Sequence, residues 1–151
     1  MGTQSDTLQV GGDQLRILVD AESSGGRLLL AEVTLRPGGE GPPLHRHQEC
    51  EVYIGIDGRY TLYREDETGA VEPHTGGPGQ VSLVPSQAVH TVCNEGDEPA
   101  RAYVIFTPGT SIEAFMRGAD ALGKAGPPDL AAVLRLATAH GMTMLDPVSR
   151  G

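Results

Sequence analysis

His45 and His47 stand two residues apart in the stretch GEGPPLHRHQECEVYIGIDG, residues 39–58, and Glu49 and Glu51 follow in the same alternation. On an extended strand, side chains two apart point to one face. Both imidazoles can therefore bind a single cation at roughly 2.0–2.2 Å. A carboxylate from Glu49 or Glu51 and a third imidazole, His90 from a neighbouring strand, would complete the set. Three neutral nitrogens and one anionic oxygen leave one or two coordination positions for water, oxygen or substrate, the pattern of a catalytic rather than a closed structural site. A lone histidine is more often a surface or hydrogen-bonded core residue. That account does not explain an alternating pair with an acid of matching parity and a third histidine. His74 and His140 have no such neighbours and read as a loop residue and a helix-end residue.

The segments that must position these groups read as short strands. Residues 15–20 (LRILVD) and 27–35 (RLLLAEVTL) are split by a Ser-Ser-Gly-Gly turn. The breaker Pro37-Gly38-Gly39-Glu40-Gly41-Pro42-Pro43 delivers the chain to His45. Residues 51–56 form the next strand, Asp57-Gly58 a tight hairpin turn, and residues 59–64 the return. Residues 65–78 are polar and glycine-containing, a surface loop. Strands are predicted again at 80–84, 89–93 and 101–107. Seven or eight short strands at regular spacing point to an all-β fold, an antiparallel barrel or double-sheet jelly roll. After Pro108-Gly109 the period changes. Residues 111–122 carry Ile112, Phe115, Met116 and Ala119 at helical spacing behind Ser111, and residues 129–140 form a second helix capped by Asp129, with Leu130, Val133, Leu134 and Ala137 as its apolar stripe. The expected organisation is a flexible arm at 1–12, one barrel at 13–110, and a helical tail at 111–151 packed on it.

Composition narrows the function classes. The 151 residues fit one domain with a sizeable core. A net charge of −9 argues against nucleic acid and against anionic membrane surfaces. No apolar run is long enough to span a bilayer, and the first ten residues lack a secretory pattern, so a cytoplasmic location is expected. Cys50 and Cys93 both lie in strand-like runs and read as reduced, structural thiols, with Cys50 close enough to Glu51 to be a wall of the site.

Gly39-x5-His45-x-His47-x3-Glu51-x6-Gly58 resembles the first motif of the cupin superfamily at every defined position. Gly79-x5-Pro85-x-Gln87-x2-His90-x3-Asn94 resembles the second, with Gln87 where glycine is usual. The resemblance implies a double-stranded β-helix, the jelly-roll barrel of cupins, here with a C-terminal two-helix tail. It also implies His45, His47, Glu51 and His90 as ligands of one divalent transition metal ion, whether Fe, Mn, Co, Ni, Cu or Zn. The family spacing selects Glu51 over Glu49. One barrel followed by helix, Gly-Pro-Pro and helix is similar to single-cupin quercetin 2,3-dioxygenase-like proteins.

That likeness implies a metal-dependent dioxygenase of a flavonol-like or polyphenolic, enolisable small molecule. Glu51 would serve as ligand and as base, and Tyr53, Val104, Phe106, Phe115 and Met116 would form the substrate pocket. The alternatives are a Lewis-acid cyclase or isomerase of polyketide-like intermediates in natural-product metabolism, and a non-catalytic small-molecule-binding cupin. Cupins of this size also imply a homodimer, formed by pairing barrel surfaces or exchanging N-terminal strands.

Overall fold

Period-two burial runs through the strands that the sequence marks by alternating apolar residues. In Leu29–Leu35 every odd-numbered side chain is buried, and in Ala100–Thr107 every even-numbered one. The computed structural model describes residues 6–39, 41–127 and 129–145. In chain order its strands are β1 (Thr7–Val10), β2 (Asp13–Val19), β3 (Leu29–Leu35), β4 (His45–Arg46), β5 (Cys50–Asp57), β6 (Tyr60–Glu65), β7 (Val71–Gly76), β8 (Val81–Val84), β9 (His90–Cys93) and β10 (Ala100–Thr107). Helices α1 (Thr110–Lys124) and α2 (Leu130–Ala139) follow, and then β11 (Thr143–Met144).

The strands form two antiparallel sheets. One runs β1-β2-β3-β10-β5-β8 and the other β11-β4-β9-β6-β7. Strands consecutive in the chain often lie in different sheets, as β4 and β5 do, which is the connectivity of a jelly roll. The core includes Leu29 and Val84 from the first sheet and Leu62 from the second, each with no exposed surface. Each such side chain contributes about 1.5–3 kcal/mol relative to exposure. At the β5–β6 hairpin, Gly58 has φ of 71°, and a Cβ there would meet the Pro99 carbonyl oxygen at 2.6 Å, so both conformation and space require glycine.

Four expectations change. Residues 7–10 of the expected arm are not a free segment; Leu8 is buried and β1 pairs with β2 from Thr7↔Arg16 to Val10↔Asp13. Residues 1–5 of that arm and 146–151 of the tail lie outside the described residues. The polar loop expected at 65–78 contains β7, which pairs with β6 along its whole length. It escapes an apolar pattern because it is the edge of its sheet, with half of its six residues (Glu72, His74 and Thr75) half-buried or exposed polar groups. Helix α1 begins one residue earlier than expected, with Gly109 rather than Ser111 at the cap position. Asp129 does cap α2, its side chain accepting from the Ala131 N–H. The α2 stripe is only partly an inward face: Ala137 is buried, but Leu130 is 68% exposed and Leu134 42% exposed. Leu136, outside that stripe, packs on the core.

Helix α1 is held to the sheet by a buried acid, Asp120, and a half-buried one, Glu113. Asp120 accepts from the Gln9 N–H of β1 at 2.9 Å and pairs with Lys124 at 2.8 Å. Glu113 accepts from the Ala21 N–H at 2.7 Å and pairs with Arg117 at 2.9 Å. These contacts place Phe115 and Met116 over one end of the space between the sheets.

Candidate metal centre

Both sheets contribute to the centre. His45 on β4 is the direct cross-strand partner of His90 on β9. His47 follows two residues later on the same face, and all three belong to the five-stranded sheet or its margin. Glu51 comes from the other sheet, on β5, opposite Phe106 of β10 and Val84 of β8. Each of the four side chains offers one ligand atom, and these atoms lie within 4.8 Å of one another. All four are buried.

Each imidazole is oriented from behind by a main-chain carbonyl. His45 Nδ1 lies 2.8 Å from the Pro43 oxygen, His90 Nδ1 2.8 Å from the Ala88 oxygen, and His47 Nδ1 3.2 Å from the Glu49 oxygen. A carbonyl can only accept, so each Nδ1 carries a proton and each Nε2 is directed at the cavity, where it offers a lone pair whenever the ring is neutral. This arrangement fixes tautomer and ring direction in metal-ligating histidines.

Glu51 Oε1 lies 2.7 Å from His47 Nε2 and 3.0 Å from His90 Nε2. Yet His47 Nε2 is a buried nitrogen with no aligned hydrogen-bond partner. A buried unpaired nitrogen costs free energy, and a cation shared by the converging atoms removes that cost. The four residues therefore fit a divalent transition metal: three imidazole nitrogens and a carboxylate oxygen, with room for further ligands. The group could hold such an ion, and the donor set does not choose among first-row metals.

The charges are mutually tuned. Burial, reinforced by the charge of His90, lowers His45 to about 4, so its imidazole is neutral and ready to ligate. Burial pushes Glu51 up, but the charge of His90 and the nearness of His47 outweigh it and hold the carboxyl low and ionised. Burial acts to lower His90, and the Glu51 charge and hydrogen bond reverse this and raise it. Tyr53, next on the same face of β5, is pushed well up, first by burial and then by the charge and hydrogen bond of Glu51.

Glu49 occupies a different place. It is buried to 1% exposure, and Oε1 lies 3.4 Å from His47 Nδ1, on the side away from the converging Nε2 atoms. Its parity matches that of Glu51, but the chain bends at Gln48 as it leaves one sheet for the other. Glu49 thus backs His47, while Glu51 stands in the group of four that could hold a metal ion.

The centre lies on a cavity of about 420 Å³. Tyr53, Val104, Phe106, Phe115 and Met116 all line it together with the four ligand candidates. Sequence reasoning missed Met142 and Met144, which reach the same wall because Met144 pairs with His45 across β11 and β4. It also missed Pro42, Pro43 and the β1–β2 turn. Cys50 is half-buried and is not among the residues that line the cavity; Cys93 is buried, and neither cysteine forms a disulfide. His74 lies on β7, 3.5 Å from an Arg64 nitrogen, apart from the centre.

The chain belongs to the cupin family: residues 31–106, half of its length, match the Cupin domain. No curated protein matches the chain in sequence. Among solved structures it is similar to a mutant of Bacillus subtilis oxalate decarboxylase, 24% identical with a TM-score of 0.59 over 73% of this chain and 31% of that one. It is similar to the polyketide cyclase RemF from Streptomyces resistomycificus, 20% identical with a TM-score of 0.53 over 70% of each chain. It is also similar to a sugar phosphate isomerase from Silicibacter pomeroyi, 24% identical with a TM-score of 0.52 over 65% of this chain and 60% of that one. This chain spans about a third of the decarboxylase, and the three likenesses establish a shared fold.

Proposed function

We propose that the protein is a metal-dependent cupin enzyme acting on an apolar, enolisable small molecule, as a dioxygenase of a flavonol-like or polyphenolic compound. The observation that carries this reading is the cavity, whose mainly apolar walls end on His45, His47, Glu51 and His90. Among its described lining residues the one lysine or arginine is Arg36, which is exposed at the β1–β2 end beside Gly12. Oxalate and sugar phosphates, named for two of the similar structures, are small and doubly charged. One exposed arginine neutralises them poorly in such walls. A flat, largely apolar molecule with one acidic hydroxyl suits the cavity better.

The residues then divide the work. Phe106, Phe115, Met116 and Val104 bind the apolar body and exclude water. His45, His47, Glu51 and His90 would hold the ion, which when bound supplies a Lewis-acid and oxygen-handling site for an ionised substrate hydroxyl. Glu51, ionised and close to that position, accepts the hydroxyl proton, and Tyr53 holds the carboxylate on its other side. Molecular oxygen is the oxidant; both of its atoms enter the products, and a flavonol would lose one carbon as carbon monoxide.

Anaerobic mixing with quercetin, followed by admission of oxygen, tests this directly. The expected result is oxygen consumption with stoichiometric carbon monoxide. No turnover after loading with Fe, Mn, Co or Ni would exclude the flavonol reading.

One observation favours a second reading. The Tyr53–Glu51 pair at the candidate ligand group would supply a proton donor and acceptor without any need for oxygen. A Lewis-acid cyclase or isomerase of a polyketide-like carbonyl compound would use it. Full activity with redox-inert zinc under argon selects this reading over the first. Stoichiometric binding of such compounds with no turnover under either condition would select a non-catalytic binding module.

A further inference from the structure

The cavity is polar at two levels and apolar between them. Apart from the four ligand candidates and Tyr53, the described polar residues that line it are Asp13, Gln14 and Arg36. All three lie where β2 begins and β3 ends. Phe106 of β10 pairs with both Leu29 and Glu51, so Leu29 marks the level of the ligand group on β3. Leu35 closes that strand, and Arg36 follows it directly. At about 3.3 Å per residue, Leu29 and Leu35 stand roughly 20 Å apart. Leu15, Val33 and Val104 line the cavity between the two levels.

An acceptor and a donor stand side by side at the far level. Asp13 has the parity of Leu15 and Ile17 on β2, whose side chains are buried, so alternation turns its carboxyl group inward. Its Oδ1 accepts from the Arg36 N–H at 2.9 Å, which ties the start of β2 to the end of β3. The Arg36 guanidinium lies against Gly12, the chain neighbour of Asp13, where a Cβ would come within 2.5 Å of its Nε. An anionic group at this level would meet the acid as well as the arginine. A hydroxyl both donates and accepts, so it can give its proton to Asp13 and take a hydrogen bond from Arg36.

We infer that Asp13 and Arg36 form a second recognition point, which binds a hydroxyl at the end of the substrate remote from the reacting one. The inference rests on the polyphenol reading above and narrows it. The substrate carries hydroxyls at both ends of an apolar body, in place of a terminal carboxylate or an unsubstituted ring. Holding the remote hydroxyl also selects which of the others reaches His45, His47, Glu51 and His90.

Equilibrium binding under argon, where oxygen-dependent turnover stops, tests this with two probes. Quercetin carries remote hydroxyls, whereas 3-hydroxyflavone has the same three rings and only the reacting hydroxyl. The native chain should bind quercetin about 10–100-fold more tightly, as expected for hydrogen bonds to charged groups. Gly12→Ala displaces the guanidinium without changing charge, and Asp13→Asn keeps an oxygen for the Arg36 N–H while removing the charge. Each should shrink the preference by about fivefold or more through weaker quercetin binding, with 3-hydroxyflavone affinity and circular dichroism unchanged. A native chain that binds both probes equally overturns the inference and leaves the flavonol reading standing. Variants that weaken both probes alike, or neither, overturn it as well. A native chain that binds neither probe overturns the inference and the flavonol reading together.

Discussion

Gln87 is the described residue other than glycine with a positive φ, 66°, and it stands where the cupin pattern has glycine. It is the third residue of the turn 85–88, which the Ala88 N–H closes onto the Pro85 oxygen at 3.1 Å. Its own N–H donates to the His47 carbonyl at 2.8 Å and so ties the turn before His90 to a ligand candidate on the other segment. The left-handed region costs an L-residue about 1–2 kcal/mol. Glycine there loses no such energy but gives up roughly 0.5–1 kcal/mol more chain entropy on folding. Gln87 is exposed, so its side chain takes no core packing with it when removed. Gln87→Gly should therefore stabilise the protein by about 0.5–1 kcal/mol, a rise of roughly 1–4 °C in melting temperature for a chain of this length. Gln87→Ala keeps the backbone strain and should stay within about 0.5 kcal/mol of the native protein. Thermal and urea unfolding of the metal-free proteins measure both. A glycine variant no more stable than the native chain, or an alanine variant that gains as much, would refute the strain argument.

Other changes follow from the same geometry. Glu49→Gln keeps the shape behind His47 but removes the charge, and chelator competition should show zinc affinity lower by about 10–100-fold with the fold unchanged. Gly55→Ala would set a Cβ 1.9 Å from the Gly77 carbonyl oxygen; urea unfolding should show a loss of about 1–3 kcal/mol. His45 titrates at about 4 in the folded chain against an ordinary 6.5. Below pH 6.5 the unfolded chain therefore takes up a proton that the folded chain refuses. In the metal-free protein this contribution should erode stability by roughly 3 kcal/mol between pH 6.5 and 4. His90, raised by Glu51, acts oppositely: it adds stability below 6.5 that is lost as pH rises through its folded value. Comparing native protein with His45→Gln across that range isolates the His45 part, and parallel stability profiles would contradict it.

The ligand candidates were legible because their information is local. Two histidines of equal parity, an acid at motif spacing and a histidine after a Pro-containing turn need only strand geometry to converge. The choice between Glu49 and Glu51 was not legible from alternation, because both share that parity. It depends on the bend at Gln48, where the chain leaves one sheet for the other. Strands β1 and β7 escaped for a related reason. An edge strand buries little, and VEPHTG has the composition of a loop until its pairing with β6 is known. The α2 stripe was misread because ten residues give fewer than three turns, and packing against Gly118 of α1 rotates Leu136 inward instead of Leu130. Met142 and Met144 reach the cavity through a two-residue strand that no periodicity could announce.

The central claim is that His45, His47, Glu51 and His90 hold one transition metal ion. Elemental analysis by plasma mass spectrometry, on protein purified without a histidine tag, tests it most directly. One divalent ion per chain, lost in a folded His47→Ala variant, is the predicted result. No stoichiometric metal in the native protein, and none taken up on reconstitution with Fe, Mn, Co, Ni, Cu or Zn, would contradict it.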